Sequence, residues 1–424
     1  MISRWQWHLT QTSRKIWFRA TLFAIAAVLT ALLSLVFKSM IPPSFSVRIG
    51  AEAVDNILNI LASSMLAVTT FSLSIMVTAY GSATTNVTPR ATRLVVEDST
   101  TQNVLATFIG SFLFSLVGII ALNMGAYGER GRVILFIVTL IVIALILITL
   151  LRWIQHLTSL GRVGETTARV ESAAIKAFSD RAQAPYLGGF PWPENEKPPM
   201  GTFTLYSEQI GYIEHIDMGR LYLSLEDSAI HVYLNVQPGN FLHPSIPVMF
   251  LTERVSDEKH HKLMSAFTIS ETRSFSQDPR FCLCVLSEIA SRALSPAVND
   301  PGTAIDVLGR SVRILSFYAQ EMQKSTDILY PNIHVAPLSI DSIFDDIFSP
   351  IARDGATLRE VQIRLLKSLS MLANAWPDIY SESARKHARE ALNYVEHSHP
   401  LHSDLRLLHE LYADTWLNSS CKDV

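Results

Sequence analysis

Four stretches of this chain, residues 20–37, 57–80, 104–124 and 133–151, run for about twenty residues each without one Asp, Glu, Lys or Arg. At 1.5 Å per helical residue each spans the roughly 30 Å hydrocarbon core of a bilayer. A backbone in lipid must satisfy its own polar groups, so these stretches are predicted as membrane-crossing helices. The second lies in a longer charge-free window, residues 56–89. The first is too long for a cleavable signal peptide, and no small-residue cleavage site follows it before Lys38.

Charge sets the orientation. The net value of -3 hides a split: residues 1–156 hold 11 basic and 5 acidic side chains, and the remainder is acidic. Arg4, Arg14, Lys15, Arg19, Arg90, Arg93, Arg152, Arg162 and Arg169 fall on one side of the predicted spans. Only Lys38, Arg48, Arg130 and Arg132 fall on the other. The positive-inside bias then predicts a multi-pass membrane protein with both termini in the cytoplasm. Trp5, Trp7, Trp17 and Trp153 flank the spans where amphipathic rings prefer to sit. A charged fraction of 17% excludes a disordered chain, and nucleic acid is not an expected partner.

The second span is the most informative. Asn56, Asn59, Ser63, Ala67, Thr70, Ser74, Thr78 and Gly81 recur at steps of three and four, which puts them on one helix face. From Ser63 to Thr78 that stripe is roughly 22 Å long. The third span has a shorter counterpart in Thr107, Ser111, Ser115, Gly118, Ala121 and Gly125. It opens on Ser99-Thr100-Thr101-Gln102, a capping-box pattern. Such stripes serve either helix packing or a water-filled path. Asn56, Asn59, Ser63, Thr70, Ser74 and Thr78 are therefore candidate pore-lining residues. No ionisable residue lies mid-membrane, which argues against a proton-coupled pump.

The predicted organisation is a four-span membrane domain over residues 1–156, a helical extension and Pro/Gly linker over 157–199, a small β module over 200–254 and a helical domain over 255–424. The fold class is thus an α-helical membrane domain followed by a cytoplasmic α+β region. A helix is expected to continue from Arg152 to about Ala182. Strands are predicted at 202–206, 210–216, 230–236 and 246–251, with a tight turn at Pro238-Gly239. The spacing of Pro238-Gly239, Pro244 and Pro247 resembles the barrel-sandwich module of lipoyl and biotinyl domains, but no Lys sits at the hairpin to carry a cofactor. Helices are predicted at 281–294, 303–324, 339–354, 357–375 and 381–397.

Arg292-Ala293-Leu294-Ser295-Pro296-Ala297-Val298-Asn299-Asp300-Pro301, followed by Thr303-Ala304, resembles the signature of bacterial predicted membrane proteins known as domain of unknown function 2254. Thr272-Arg273 with Gln277-Asp278, the segment from Ser63-Ser64-Met65 to Phe71-Ser72, the Pro238-Gly239 turn and Arg353-Asp354-Gly355-Ala356 add to the resemblance. Cys282 departs from it, standing where a glycine is expected. The resemblance covers most of the chain and implies its architecture; it implies no chemistry.

Read physically, Pro296 and Pro301 bracket Asn299-Asp300, which can cap a helix starting near Thr303. Arg273, Asp278, Arg292, Asn299, Asp300, Thr303 and Arg310 are expected to gather into one polar corner. It is either a buried, structural helix-loop-helix junction or an anion or effector site. A buried corner predicts that Asp300→Ala unfolds the cytoplasmic part. Cys282-x-Cys284 fits ordinary buried thiols better than a metal site, and His397-x-His399 with His402 is broken by Pro400. No metal or cofactor is expected. No catalytic motif is found, so an enzyme is not expected. The function predicted is a homo-oligomeric ion or small-solute channel, its second span lining the path and its cytoplasmic part gating it. The alternative is a membrane-anchored sensor or scaffold that binds a cytoplasmic ligand or partner without conducting.

Overall fold

A computed structural model of the chain describes residues 18, 21, 22, 25, 28, 29 and 51–416, except 97, 126–127, 194–195, 226–228 and 323–326. Most of the first predicted span, and Trp5, Trp7, Trp17 and Cys421, lie outside the described residues. Two compact units divide the chain, residues 2–165 and residues 166–424.

The first unit is built on α1 (Ala51–Asn86), α2 (Pro89–Val96), α3 (Ser99–Asn123) and α4 (Gly128–Leu157). Among the described residues three helical segments are long and apolar enough to cross a membrane: Ala53–Thr85, Ser99–Asn123 and Gly131–Leu157. Val54, Leu58, Leu61 and Met65 of α1 pack with Val104, Phe108 and Phe114 of α3 and with Leu135, Val142, Ile146 and Trp153 of α4. The charge-free window beyond Tyr80 stays helical to Asn86, and the chain then bends before Pro89, a residue suited to a first helical turn. In α2, Ala91 and Val95 are buried while Arg90 and Arg93 are exposed. The Thr84 and Thr92 hydroxyl oxygens meet at 3.1 Å across the bend.

Two local expectations change. The cap of α3 is Asp98, one residue before the predicted Ser99; its carboxylate accepts from the Thr101 backbone N–H at 2.8 Å and lies 2.9 Å from His156 Nε2. An acidic N-cap satisfies the orphan N–H groups more strongly than a hydroxyl. The helix predicted from Arg152 to Ala182 is two helices, α4 and α5 (Val163–Gln183). Gly161 takes φ +78° between them, and a Cβ there would sit 3.1 Å from the Ala79 carbonyl oxygen.

The second unit holds two sheets and a helical part. Its strands are β1 (Gly189–Pro191), β2 (Phe203–Tyr206), β3 (Gly211–Ile216), β4 (Val232–Leu234), β5 (Phe241–Leu242), β6 (Pro247–Leu251), β7 (Phe267–Ser270) and β8 (Tyr330–Val335). One sheet runs β1-β8-β4-β6-β2 and the other β5-β3-β7. Short helices α6 (Met218–Leu223) and α7 (Asp257–Met264) accompany them. Ile213, Val232, Leu234, Val248, Leu251, Ile333 and Val335 share one core, as period-two alternation requires. The β assembly therefore does not close within residues 200–254. β8 arrives from far downstream to pair in parallel with both β4 and β1, and the predicted linker supplies β1.

The helical part comprises α8 (Pro279–Ala293), α9 (Pro301–Met322), α10 (Ile340–Asp354), α11 (Arg359–Ala375), α12 (Pro377–His397) and α13 (His402–Trp416). Its core contains Leu286, Leu308, Phe344, Phe348, Leu369 and Tyr380. Tyr380 donates its hydroxyl proton to the Leu315 carbonyl at 2.8 Å, which satisfies the one polar atom that ring buries.

Candidate functional site

The two polar stripes meet opposite fates. In α3, Thr107, Ser111, Ser115 and Gly118 are buried against neighbouring helices. A Cβ on Gly118 would lie 3.2 Å from Leu58 Cδ1, so smallness there lets α1 and α3 approach. Over these four residues the third span's stripe serves packing, one of the two readings its sequence left open.

In α1 the buried face is mostly apolar, with Val54, Leu58, Leu61, Met65, Met76, Ala79 and Ala83, and Ser72 is its one buried hydroxyl residue. Asn56, Asn59, Ser63, Ala67, Thr70, Ser74, Thr78 and Gly81 all lie on its exposed side. Three of the stripe's four hydroxyls are satisfied within the helix. Ser63 donates to the Asn59 carbonyl at 2.9 Å, Thr70 to Ala67 at 2.9 Å and Thr78 to Ser74 at 3.0 Å. Asn59 donates its amide to Asp55 at 3.1 Å. Ile60, Phe71 and Val77, each more than 60% exposed, flank the stripe.

The expected polar corner comes apart into two sites at opposite ends of α8, a 15-residue helix of roughly 22 Å. At its N-terminus Asp278, 2% exposed, caps the helix by accepting from the Phe281 N–H at 3.0 Å. Arg273 grips both carboxylate oxygens, at 2.7 and 3.0 Å, and lies over the Phe281 ring. Burial pushes the Asp278 carboxyl up, while the Arg273 fork and the Phe281 N–H pull it back. Nearby, Arg181 of α5 is 4% exposed and donates to Gln237 Oε1 at 2.7 Å. Burial holds that guanidinium below its ordinary value.

At the other end, Asn299 takes φ +51° and Asp300 caps α9, accepting from the Thr303 N–H at 3.1 Å and its hydroxyl at 2.6 Å. Residues 296–300 and Arg292 are exposed. Arg310 is engaged elsewhere, with Glu171 at 2.6 Å and Asp306 at 2.7 Å. The corner is thus a capped but solvent-facing turn without the expected ion pairs. Asp300→Ala should cost about 1 kcal/mol, the usual worth of an N-cap, and lower the melting temperature by about 2–4 °C rather than unfold the unit. Thermal denaturation followed by circular dichroism checks this; collapse of the fold would mean that the turn carries more than a cap.

Cys282 is buried and Cys284 partly so. Burial raises both thiols, Cys284 to about 11, so neither is a reactive thiolate at neutral pH. Cys284 lines an open cleft of about 420 Å³ between α8 and α10, with Ser287, Glu288, Ser291, Asp345 and Arg353. Of the C-terminal histidines, His397 Nδ1 contacts the Asn393 carbonyl at 2.7 Å, and His399 takes φ +57°. A grouping absent from the sequence reading joins Asp345 of α10 to His387 and Glu390 of α12. Its one sequence signal is the i, i+3 spacing of His387 and Glu390.

A family model described as "Predicted membrane protein (DUF2254)" matches residues 13–371. No curated protein and no solved structure matches the chain.

Proposed function

The chain belongs to this family of predicted membrane proteins, and on that footing we propose that it is a homo-oligomeric channel for an ion or small polar solute. Four spans, both termini in the cytoplasm of a bacterial cell and a cytoplasmic gating unit complete the proposal. One observation carries it: the hydroxyl and amide stripe of α1 lies on the helix's exposed side, while the matching stripe of α3 is spent on packing. A lipid-facing surface gains nothing from polar groups repeated along the membrane. Copies arranged around an axis would turn Ser63, Thr70, Ser74 and Thr78 toward a shared path. Hydroxyl oxygens already bonded to their own helix keep lone pairs to replace part of a solute's hydration shell. The stripe carries no titratable group, so such a path would discriminate by size and hydration rather than by a charged ring.

Native mass spectrometry and single-channel recording of the purified protein in planar bilayers test this together. Discrete ohmic steps from a ring-shaped oligomer are expected. A monomer, or silence across varied salt, voltage and pH, would overturn it. The cleft between α8 and α10 favours a second reading, a membrane-anchored sensor. That reading expects ligand binding without conductance.

A further inference from the structure

Asp345, His387 and Glu390 bring one ring nitrogen and two carboxylate oxygens within 4.8 Å of one another where α10 meets α12. The orientation of the imidazole is set by its backbone contact. Nδ1 lies 2.7 Å from the Ser383 carbonyl oxygen, and a carbonyl only accepts, so Nδ1 carries a proton. Nε2 lies 2.9 Å from Asp345 Oδ1. In the neutral ring these are two acceptors facing each other with nothing between them. A proton or a metal ion must bridge them.

The neighbours distinguish the two. Asp341 is held by the Ser383 hydroxyl and by Lys386 at 3.4 Å. Asp346 is held by Arg280 through bonds of 2.6 and 3.1 Å. The nearby cations are thus engaged. Asp345 lies against the His387 ring, and the charge of Lys386, which pairs with Asp341, also reaches Asp345 and Glu390. One ring proton would bridge Asp345 alone and leave Glu390 to share Lys386 with Asp341. A divalent ion neutralises both carboxylates while the imidazole stays neutral. Metal–ligand bonds of about 2.0–2.2 Å put neighbouring donors about 3 Å apart, close to the Nε2 to Oδ1 distance. An Nδ1–H bonded to a backbone carbonyl is also the outer contact that orients a metal-binding histidine. His387 is 2% exposed and Asp345 54%, so the donors form a walled site open to solvent on one side.

We propose that His387 Nε2, Asp345 and Glu390 bind one divalent transition-metal ion of the Zn²⁺ or Mn²⁺ class, the remaining coordination positions being left to water. A donor set with imidazole and carboxylates but no thiolate suits these ions better than Cu⁺, Ca²⁺ or Mg²⁺. His387 and Glu390 lie beyond the family-matched residues and Asp345 within them, so two of the three donors come from outside the matched stretch. It ties α10 to α12 and does not depend on conduction.

The test uses tag-free, full-length protein stripped with EDTA, then titrated with Zn²⁺, Mn²⁺ and Co²⁺. About one equivalent per chain is expected, with a visible Co²⁺ spectrum displaced by Zn²⁺. At a metal concentration about a hundredfold above Kd the melting temperature should rise by about 5–10 °C. Glu390→Gln and His387→Gln should each weaken binding at least about tenfold. His399→Gln with His402→Gln should leave it unchanged. If His387→Gln fails to fold, the half-buried Glu390→Gln still decides. Undiminished binding in that variant, or less than half an equivalent in the unaltered protein, means the pair is an imidazolium–carboxylate contact and the proposal fails.

Discussion

Gly239→Ala is expected to lower the melting temperature of the second unit by about 5–15 °C, because the added methyl group meets both a positive φ and a fixed carboxylate. Gly239 takes φ +91° in the turn between β4 and β5, and its N–H donates to the Ile213 carbonyl at 2.8 Å. An L side chain in that conformation costs about 1–2 kcal/mol. The added Cβ would also overlap the Asp278 carboxylate, which Arg273 and the Phe281 N–H already fix from the other side. Overpacking of this kind costs about 1–3 kcal/mol more. The turn, the cap of α8 and the Arg273 pair are thus one mechanical junction between the sheets and the helical part. Two controls separate the effects. Gly309→Ala, inside α9 with open space beside it, should stabilise by about 0.5–1 kcal/mol. In an Asp278→Ala background Gly239→Ala should cost only the conformational part; full cost there would place the strain somewhere other than the carboxylate.

That junction was visible in the sequence only as separate pieces. Pro238-Gly239 signalled a turn and Asp278-Pro279 a helix start, but nothing local says that they touch across 38 intervening residues. Elements with strong periodicity and clear punctuation were legible. β2, β3, β4 and β6 fall inside or on the predicted strands, and α8 to α12 begin and end within a few residues of the predicted helices. β1, β5 and β7 escaped because, unlike β4 within residues 231–236, they sit in no extended alternating run. β8 escaped because its partners, β1 and β4, are distant in sequence. Among charged residues, type and spacing suggested one network around Asn299-Asp300. The length of α8 divides it, a separation that only the helix axis reveals. His387 was unreadable for the same reason: its meaning comes from Asp345 on another helix. The stripe on α1 stands between these cases. Its period placed eight residues on one face; which way that face points depends on what α3 packs against.

Because that face is exposed, replacing Ser63, Thr70 and Ser74 together by Ala should reduce unitary conductance roughly thirtyfold while leaving the fold and the assembly intact. Ser63 and Thr70 each donate to a carbonyl of their own helix. For Ser63 and Thr70 that carbonyl already belongs to the helical ladder, so removing the donor strands no buried group and stability should hold to within about 1 kcal/mol. A solute passing the triple variant loses three oxygen contacts. At about 0.6 kcal/mol each, the average worth of a membrane hydrogen bond, the barrier rises by roughly 2 kcal/mol. The longer apolar surface also favours dewetting, which acts in the same direction. Substitution in α3 should behave oppositely. Gly118→Leu drives a large side chain into Leu58 and should disrupt helix packing, whereas Ser115→Ala removes only a bond to the Ser111 carbonyl and should leave conductance unchanged. If the α1 triple variant conducts like the unaltered protein while Ser115→Ala does not, the path runs along α3 and the lining residues have been assigned to the wrong helix.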